Sequence, residues 1–220
     1  VVVADAAPTD VRLLKAAEAS GTAVFATDMP GAQVIDRLRR YLGKALAENI
    51  ELHGVCMDVL GLGVLITGDS GVGKSELALE LISRGHGLVA DDVVEVSRIR
   101  ATTLEARCPP MLKDFLEVRG LGVLNIRTIF GETAVRPKII VRLNVHLDRP
   151  GGSESERLPL HELSEDVLGV TLRKVIIPVA AGRNIAVLLE AAVRNYILEL
   201  RGINSTEEFM QRQRSEMKKD

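Results

Sequence analysis

Between Glu51 and Arg84 the apolar positions fall into differently spaced groups. GVCMDVL and GVLITG are near-continuous apolar runs separated by Gly61 to Gly63, a pattern that predicts two strands joined by a turn. A glycine-rich stretch follows. After it SELALELIS places its apolar residues at helical spacing from Ser75 to Ser83, with Arg84 and Gly85 as the stop. HGLVADDVVEV and SRIRATTLEARC, rich in Val, Ile and Thr, predict further strands, and LEVRGLGVLNI follows Pro109 and Pro110. KIIVRLNVHL (138–147) is the clearest strand, β-branched and alternating. RPGGSESERLP (149–159) is polar and glycine-containing, expected to be a mobile loop. IAVLLEAAVRNYILELRG (185–202) predicts a helix that stops at Gly202. The tail opens with Ser205, Thr206, Glu207 and Glu208, a capping-box pattern suited to a charged terminal helix.

Ahead of Glu51 the texture differs. VRLLKAAEA and AQVIDRLRRYLGKALAE read as helices around a short β-like run, TAVFAT. This is the pattern of the closing part of an α/β domain, and a boundary is expected near Glu48 to Ile50. The division is therefore 1–49, the end of an N-terminal α/β domain, and 50–220, a second domain. The first residue is Val, which points to a chain cut from a longer one. Strands dominate from 51 to 150 and helices are expected after 160. Strands in such close succession favour hairpins over a purely doubly wound sheet. The fold class is α/β with a mixed central sheet.

Composition narrows the function classes. Hydrophobic residues make up 46% and charged residues 26% of 220, enough for a sizeable core, but aromatics are 3% with no Trp. That core must be built from Val, Leu, Ile and Ala. A net charge of −2 gives no global drive towards nucleic acid or an anionic membrane. No apolar run approaches the ~18–20 residues of a membrane span. Cys56 and Cys108 lack metal-ligand spacing and read as reduced thiols of a cytoplasmic protein.

The chemistry sits in the glycine-rich stretch. Gly68, Asp69, Ser70, Gly71, Val72, Gly73, Lys74 and Ser75 satisfy G-x-x-x-x-G-K-[ST] between a predicted strand and a predicted helix. Glycines let successive backbone N–H groups turn inward, making an anion nest closed by a helix N-terminus. In such a nest Lys74 reaches the β- and γ-phosphates and the Ser75 hydroxyl holds Mg²⁺. Asp91 and Asp92 end the apolar run at 88–90, where a carboxylate can touch Mg²⁺ or take a proton from an acceptor hydroxyl. His53 sits one strand upstream of the nest; His86, His146 and His161 carry no signal beyond structural use. No N-K-x-D guanine-reading motif is present, which argues against a switch GTPase. A nucleotide-sensing module without turnover and a purely structural assembly domain stay open.

Together, His53–Gly54, GDSGVGKSE (68–76), RGHGLVADD (84–92) and the run Glu117, Val118, Arg119, Gly120, Leu121, Gly122 resemble the HPr kinase/phosphorylase family of bacteria. The resemblance covers about Glu51 to Gly202. It implies a cytoplasmic enzyme that phosphorylates a serine of the phosphocarrier protein HPr with ATP or pyrophosphate, and reverses this with inorganic phosphate as nucleophile. By position it implies that Lys74 binds phosphate and that Ser75 and Glu117 hold the metal. Asp91 is the base on the serine hydroxyl and the acid in reverse, with His53 beside it. Asp92 and Arg119 belong to the phosphate site. Arg157 matches an arginine of a catalytic loop, and Pro178 to Arg183 a segment tied to dephosphorylation. A homohexamer is implied as well. Two departures stand out: Ser155–Glu156–Arg157–Leu158–Pro159 replaces Tyr-Asp-Arg-Leu-Gly, and Ala180 stands where the family commonly has arginine.

Overall fold

The computed structural model describes residues 1–149, 163–180 and 182–217. The chain divides at Ala47 into two compact units. In the first, β1 (Val2–Val3) pairs in parallel with β2 (Phe25–Ala26), and α1 (Val11–Ser20) and α2 (Gly31–Ala45) follow one strand each. The Asp10 side chain caps α1 by accepting from the Arg12 N–H at 2.8 Å. Gly21, at φ 67°, closes it in the left-handed conformation. Ala17 is the one buried residue of this unit among those described.

The second unit is a mixed sheet with helices. Its elements are β3 (Asn49–His53), β4 (Val55–Val59), β5 (Leu62–Gly68), α3 (Lys74–Ser83), β6 (Gly87–Ala90), β7 (Val93–Arg100) and β8 (Thr103–Arg107). Then come β9 (Phe115–Val118), β10 (Gly122–Asn125), α4 (Ile126–Phe130), β11 (Lys138–Asp148), β12 (Leu163–Val167), β13 (Val170–Pro178), α5 (Ile185–Leu200) and α6 (Ser205–Met217). The sheet order is β3-β7-β8-β11-β5-β4-β6, and β13, paired with β12, also joins β11. The sheet forks at β11. Its first residues pair antiparallel with β8, and from Leu143 the same strand runs parallel to β13.

Both faces of the central strands are covered, which is why β4 and β5 are mostly apolar rather than alternating. Val55, Met57, Val64 and Ile66 face one core with Leu77, Leu81, Leu143, Leu189 and Val193 from β11 and the two helices. Cys56 and Leu65 face the other, with Val94, Val96, Leu104, Val141 and Leu172. Helices α3 and α5 are further joined by a charged cluster. Arg84 donates to both oxygens of Glu190 at 2.8 Å, and His86 Nε2 lies 2.9 Å from Oε1. The Glu190 side chain is only 8% exposed, so these partners replace the water it has lost.

Three expectations change. The segment after 160 forms the β12–β13 hairpin before any helix. Its strand β13 runs between polar and apolar positions (Leu172 buried, Arg173 and Lys174 less so) and is carried into the sheet by β11. The run HGLVADDVVEV is broken at Asp91–Asp92 into β6 and β7, which have different partners. The cap of α6 is Asn204, whose Oδ1 accepts from the N–H groups of Thr206 and Glu207 at 3.1 Å each; Ser205 is already helical. The segment 150–162, including Arg157 and His161, lies outside the described residues.

The Arg84 guanidinium first, then His86, holds the Glu190 carboxyl well below the usual carboxylate range. A depressed carboxyl contributes stability above its unfolded pKa and loses it as pH falls. Thermal melts of Glu190→Ala should therefore fall further below the parent than those of Arg194→Ala, whose partner distance is 3.4 Å. The deficit should hold steady at neutral pH and shrink as pH drops through ~4.3, the unfolded glutamate value. A deficit independent of pH would exclude an electrostatic role for the cluster.

Candidate active site

Strand register brings distant segments to one edge. Leu147 of β11 stands opposite Gly68 of β5 and Ile177 of β13, and these three strands are mutually parallel. Their carboxyl ends are therefore level. The glycine-rich loop, Arg149 and the segment from Val179 leave the sheet side by side, where open α/β sheets place ligands. Strand β6 ends at the same edge, because it and β5 both run antiparallel to β4.

The loop at 68–73 has the conformation its glycines permit. Gly71 and Gly73 have φ of 71° and 104°, values that L side chains rarely adopt. At Gly68 an added Cβ would stand 2.5 Å from the Leu147 carbonyl oxygen, so the approach of β11 leaves room only for glycine. Lys74 and Ser75 open α3, whose first-turn N–H groups point into the loop. The Lys74 ammonium donates to the carbonyls of Gly68 (2.8 Å) and Asp69 (3.0 Å), closing the nest upon itself. These donors, with the helix terminus, fit a phosphate chain. Val72 is buried in the core and anchors the loop rather than facing its hollow.

Two carboxylates stand beside it and differ sharply. Asp91 is 7% exposed and accepts a hydrogen bond at each oxygen: Ser75 Oγ donates to Oδ1 at 3.2 Å and the Glu117 N–H to Oδ2 at 2.9 Å. Burial pushes its carboxyl up from the ordinary value, and those two hydrogen bonds partly offset this. Asp92 is exposed, and its backbone is left-handed at φ 64°. Such a conformation in a non-glycine residue is held by its surroundings: the Gly54 N–H donates to the Asp92 carbonyl and the Val93 N–H to that of Asp91. At this corner the chain passes from β3 to β4 on one side and from β6 to β7 on the other. His53, opposite Val93, thereby comes within 3.8 Å of Asp92, Nδ1 to Oδ1. The expected neighbour of His53 is Asp91; the carboxylate it approaches is that of Asp92.

The β9–β10 hairpin supplies the opposite wall. Gly120 and Gly122, both at positive φ, turn the chain after Glu117 and Arg119 and leave those side chains exposed. The resulting cleft has a volume of ≈ 700 Å³ and is lined by His53, Ser70, Lys74, Ser75, Asp91, Asp92, Glu117 and Arg119, among others. An octahedral Mg²⁺ bound through one or two protein oxygens with phosphate and water fits the Ser75 hydroxyl and the Glu117 carboxylate. Both face this cleft, and Asp91 already orients the first.

The sequence expectations miss Arg149, which donates to the Ser70 carbonyl at 2.8 Å. A Cβ on Gly71 would lie 3.7 Å from the Arg149 guanidinium and 3.8 Å from that of Arg119. Two cations thus flank the loop. An arginine at the end of the strongest predicted strand was the available signal, but only pairing with β5 brings it to the loop. Arg183 does not enter the large cleft. It lines a neighbouring one of ≈ 480 Å³, between the loop, α3 and the start of α5.

This arrangement has close relatives. Residues 44–213 match the family model described as HPr Serine kinase C-terminal domain. HPr kinase/phosphorylase of Aromatoleum aromaticum is 64% identical over 215 residues, covering 97% of this chain and 69% of the relative. That of Nitrosomonas europaea is 60% identical over 220 residues, covering 99% and 68%. Among solved structures, the Hpr(Ser) kinase/phosphatase from Coxiella burnetii superposes with a TM-score of 0.65 at 34% identity, over 73% of this chain and 98% of the other. With a family model spanning most of its length and relatives of this similarity, the chain belongs to the HPr kinase/phosphorylase family.

Proposed function

We propose that this chain transfers a phosphoryl group to a serine of the phosphocarrier HPr from ATP or pyrophosphate, and removes it with inorganic phosphate as the attacking nucleophile. One observation carries the reading. A phosphate nest, a hydroxyl held by a buried carboxylate and a second, exposed carboxylate paired with histidine all face the same cleft. A nest alone would bind nucleotide; the exposed carboxylate adds a proton acceptor beside it.

The proton belongs to Asp92 rather than to Asp91. Each oxygen of Asp91 already accepts a hydrogen bond from the protein, whereas Asp92 is exposed in the cleft with His53 at its side. In the forward direction the serine oxygen attacks the terminal phosphorus, its proton passes to Asp92, and ADP or phosphate leaves. In reverse a phosphate oxygen attacks the phosphoserine phosphorus, the serine oxygen departs with the proton from Asp92, and pyrophosphate is released. His53 holds the exposed carboxylate in place. Asp91 keeps the Ser75 hydroxyl turned towards the phosphates. Lys74 leaves its loop carbonyls for the phosphate oxygens, and Arg119 and Arg149 offset charge at the loop's shoulder. Ser75 and Glu117 would hold Mg²⁺, which would supply neutralisation of the phosphate charge. Arg157 stands as a catalytic arginine by resemblance alone. The chain acts in the cytoplasm, 1–49 being the end of an N-terminal domain, and assembles as a homohexamer. Among the described residues no helix is long and apolar enough to cross a membrane.

Three outcomes test this. Lys74→Ala should abolish both directions while leaving the melting temperature near the parent's, because the nest is backbone; mass spectrometry of HPr reports turnover, and retained activity would remove Lys74 from the mechanism. Asp92→Asn should slow both directions by about 10²–10⁴-fold, the usual cost of a lost general acid–base, with nucleotide affinity preserved. If Asp91→Asn instead shows that loss at saturating Mg²⁺ and Asp92→Asn does not, the proton belongs to Asp91. Glu117→Gln keeps size and loses charge, so its activity should require a higher Mg²⁺ concentration; a titration that overlays the parent's would show that Glu117 is no ligand.

A further inference from the structure

Strand β5 loses one of its two neighbours just before the glycine-rich loop. Its ladder with β4 ends at Ile66, opposite Val55, whereas its ladder with β11 continues through Thr67, opposite His146, to Gly68, opposite Leu147. The two residues that lead into the nest are thus held by β11 alone. Polar side chains reinforce that one-sided attachment. Asn144 and His146 lie on the face of β11 opposite to Leu143, Val145 and Leu147, and so share a face with Thr67. The Thr67 hydroxyl lies 2.9 Å from Asn144 Oδ1 and 3.0 Å from His146 Nδ1. On its far side the Asn144 amide donates to Glu165 of β12, and the Lys174 ammonium of β13 stands 3.4 Å from the same carboxylate oxygen.

The order of donors along this chain follows from the carboxylate. An ionised carboxylate only accepts, so Glu165 faces the amide nitrogen of Asn144 and leaves the amide oxygen to Thr67. The Thr67 hydroxyl gives its single proton to that oxygen and offers His146 only a lone pair. His146 therefore carries its proton on Nδ1. Asn144 is 1% exposed, and a buried amide needs partners at both ends, which this order supplies. Lys74 closes the same region through the Gly68 and Asp69 carbonyls, but those contacts end when its ammonium turns to phosphate. The brace on Thr67 does not use Lys74 and persists. Resting on the phosphotransfer reading, we propose that Thr67, Asn144 and His146 are positioning residues for the transfer. They act through Gly68, keeping the root of the nest in register with β11 once Lys74 has moved, and so hold the reacting phosphorus in line with the attacking oxygen.

The test isolates the hydroxyl. Rates of HPr phosphorylation with ATP and with pyrophosphate would be measured for the parent, for Thr67→Val, which keeps the shape and removes the hydroxyl, and for Thr67→Ser, which keeps it. Thr67→Val should lose about tenfold in kcat with both donors, because transfer is steeply sensitive to misplacement. Its KM for either donor should stay within about threefold of the parent's, since the backbone donors of the nest remain. Thr67→Ser should stay within about twofold of the parent in kcat, its hydrogen bonds being retained. Nitrogen NMR of the imidazole, at a pH above the ordinary histidine value of ~6.5, should show His146 protonated at Nδ1 in the parent and without that preference in Thr67→Val. An Nε2–H tautomer in the parent, an unchanged kcat in Thr67→Val or an equal loss in Thr67→Ser overturns the brace alone. A parent that phosphorylates HPr with neither donor overturns the phosphotransfer reading and, with it, the role given to the brace.

Discussion

The position of β11 between β5 and β13 is the constraint on which the site depends. Parallel pairing on both edges sets Leu147 level with Gly68 and Ile177, and so fixes where three chain segments leave the sheet. The glycine-rich loop is shaped by that neighbour: the Leu147 carbonyl presses against Gly68. Arg149 reaches Ser70 because it is the next residue but one after Leu147. Val179 is held at the edge by donating its N–H to the Asp148 carbonyl at 2.8 Å. A slip of one residue in this pairing would turn every side chain of β11 to the opposite face. The two cores, one on each face, make that slip prohibitive.

A second feature, the corner at Gly54 and Asp92, assigns different work to adjacent carboxylates. Asp91 ends a fully buried strand, where hydrogen bonds from Ser75 and Glu117 help make its charge tolerable. Asp92, in the left-handed region, turns outward into solvent beside His53. One chain reversal thus produces a buried, hydrogen-bonded carboxylate and an exposed one. The β9–β10 hairpin completes the arrangement, since the backbone of Glu117 holds Asp91 while its carboxylate faces the cleft.

Much of this was legible in the chain. The loop with its Lys74 and Ser75, the strand before it, the helix after it and the strand at 138–147 follow from local spacing, because glycine conformation, β-branching and helical periodicity act over a few residues. The helix at 185–200 was equally plain, its Ala186, Leu189 and Val193 buried at helical intervals. The β12–β13 hairpin was not, since Arg173 and Lys174 interrupt its apolar pattern and its place comes from pairing with β11. The cap of α6 was misplaced by one residue because Asn204 and Ser205 are both good caps and only the hydrogen bonds distinguish them.

The sequence by itself determined the family, the glycine-rich loop between a strand and a helix, and a core without tryptophan. It could not decide which of Asp91 and Asp92 meets His53, because that depends on two strands changing partners at one corner. Nor could it bring Arg149 to Ser70, or separate Arg183 from the large cleft into a smaller one. Each of these is a contact between residues dozens of positions apart. Such contacts are set by sheet register and by helix packing over the whole domain, and no local pattern of side chains encodes them.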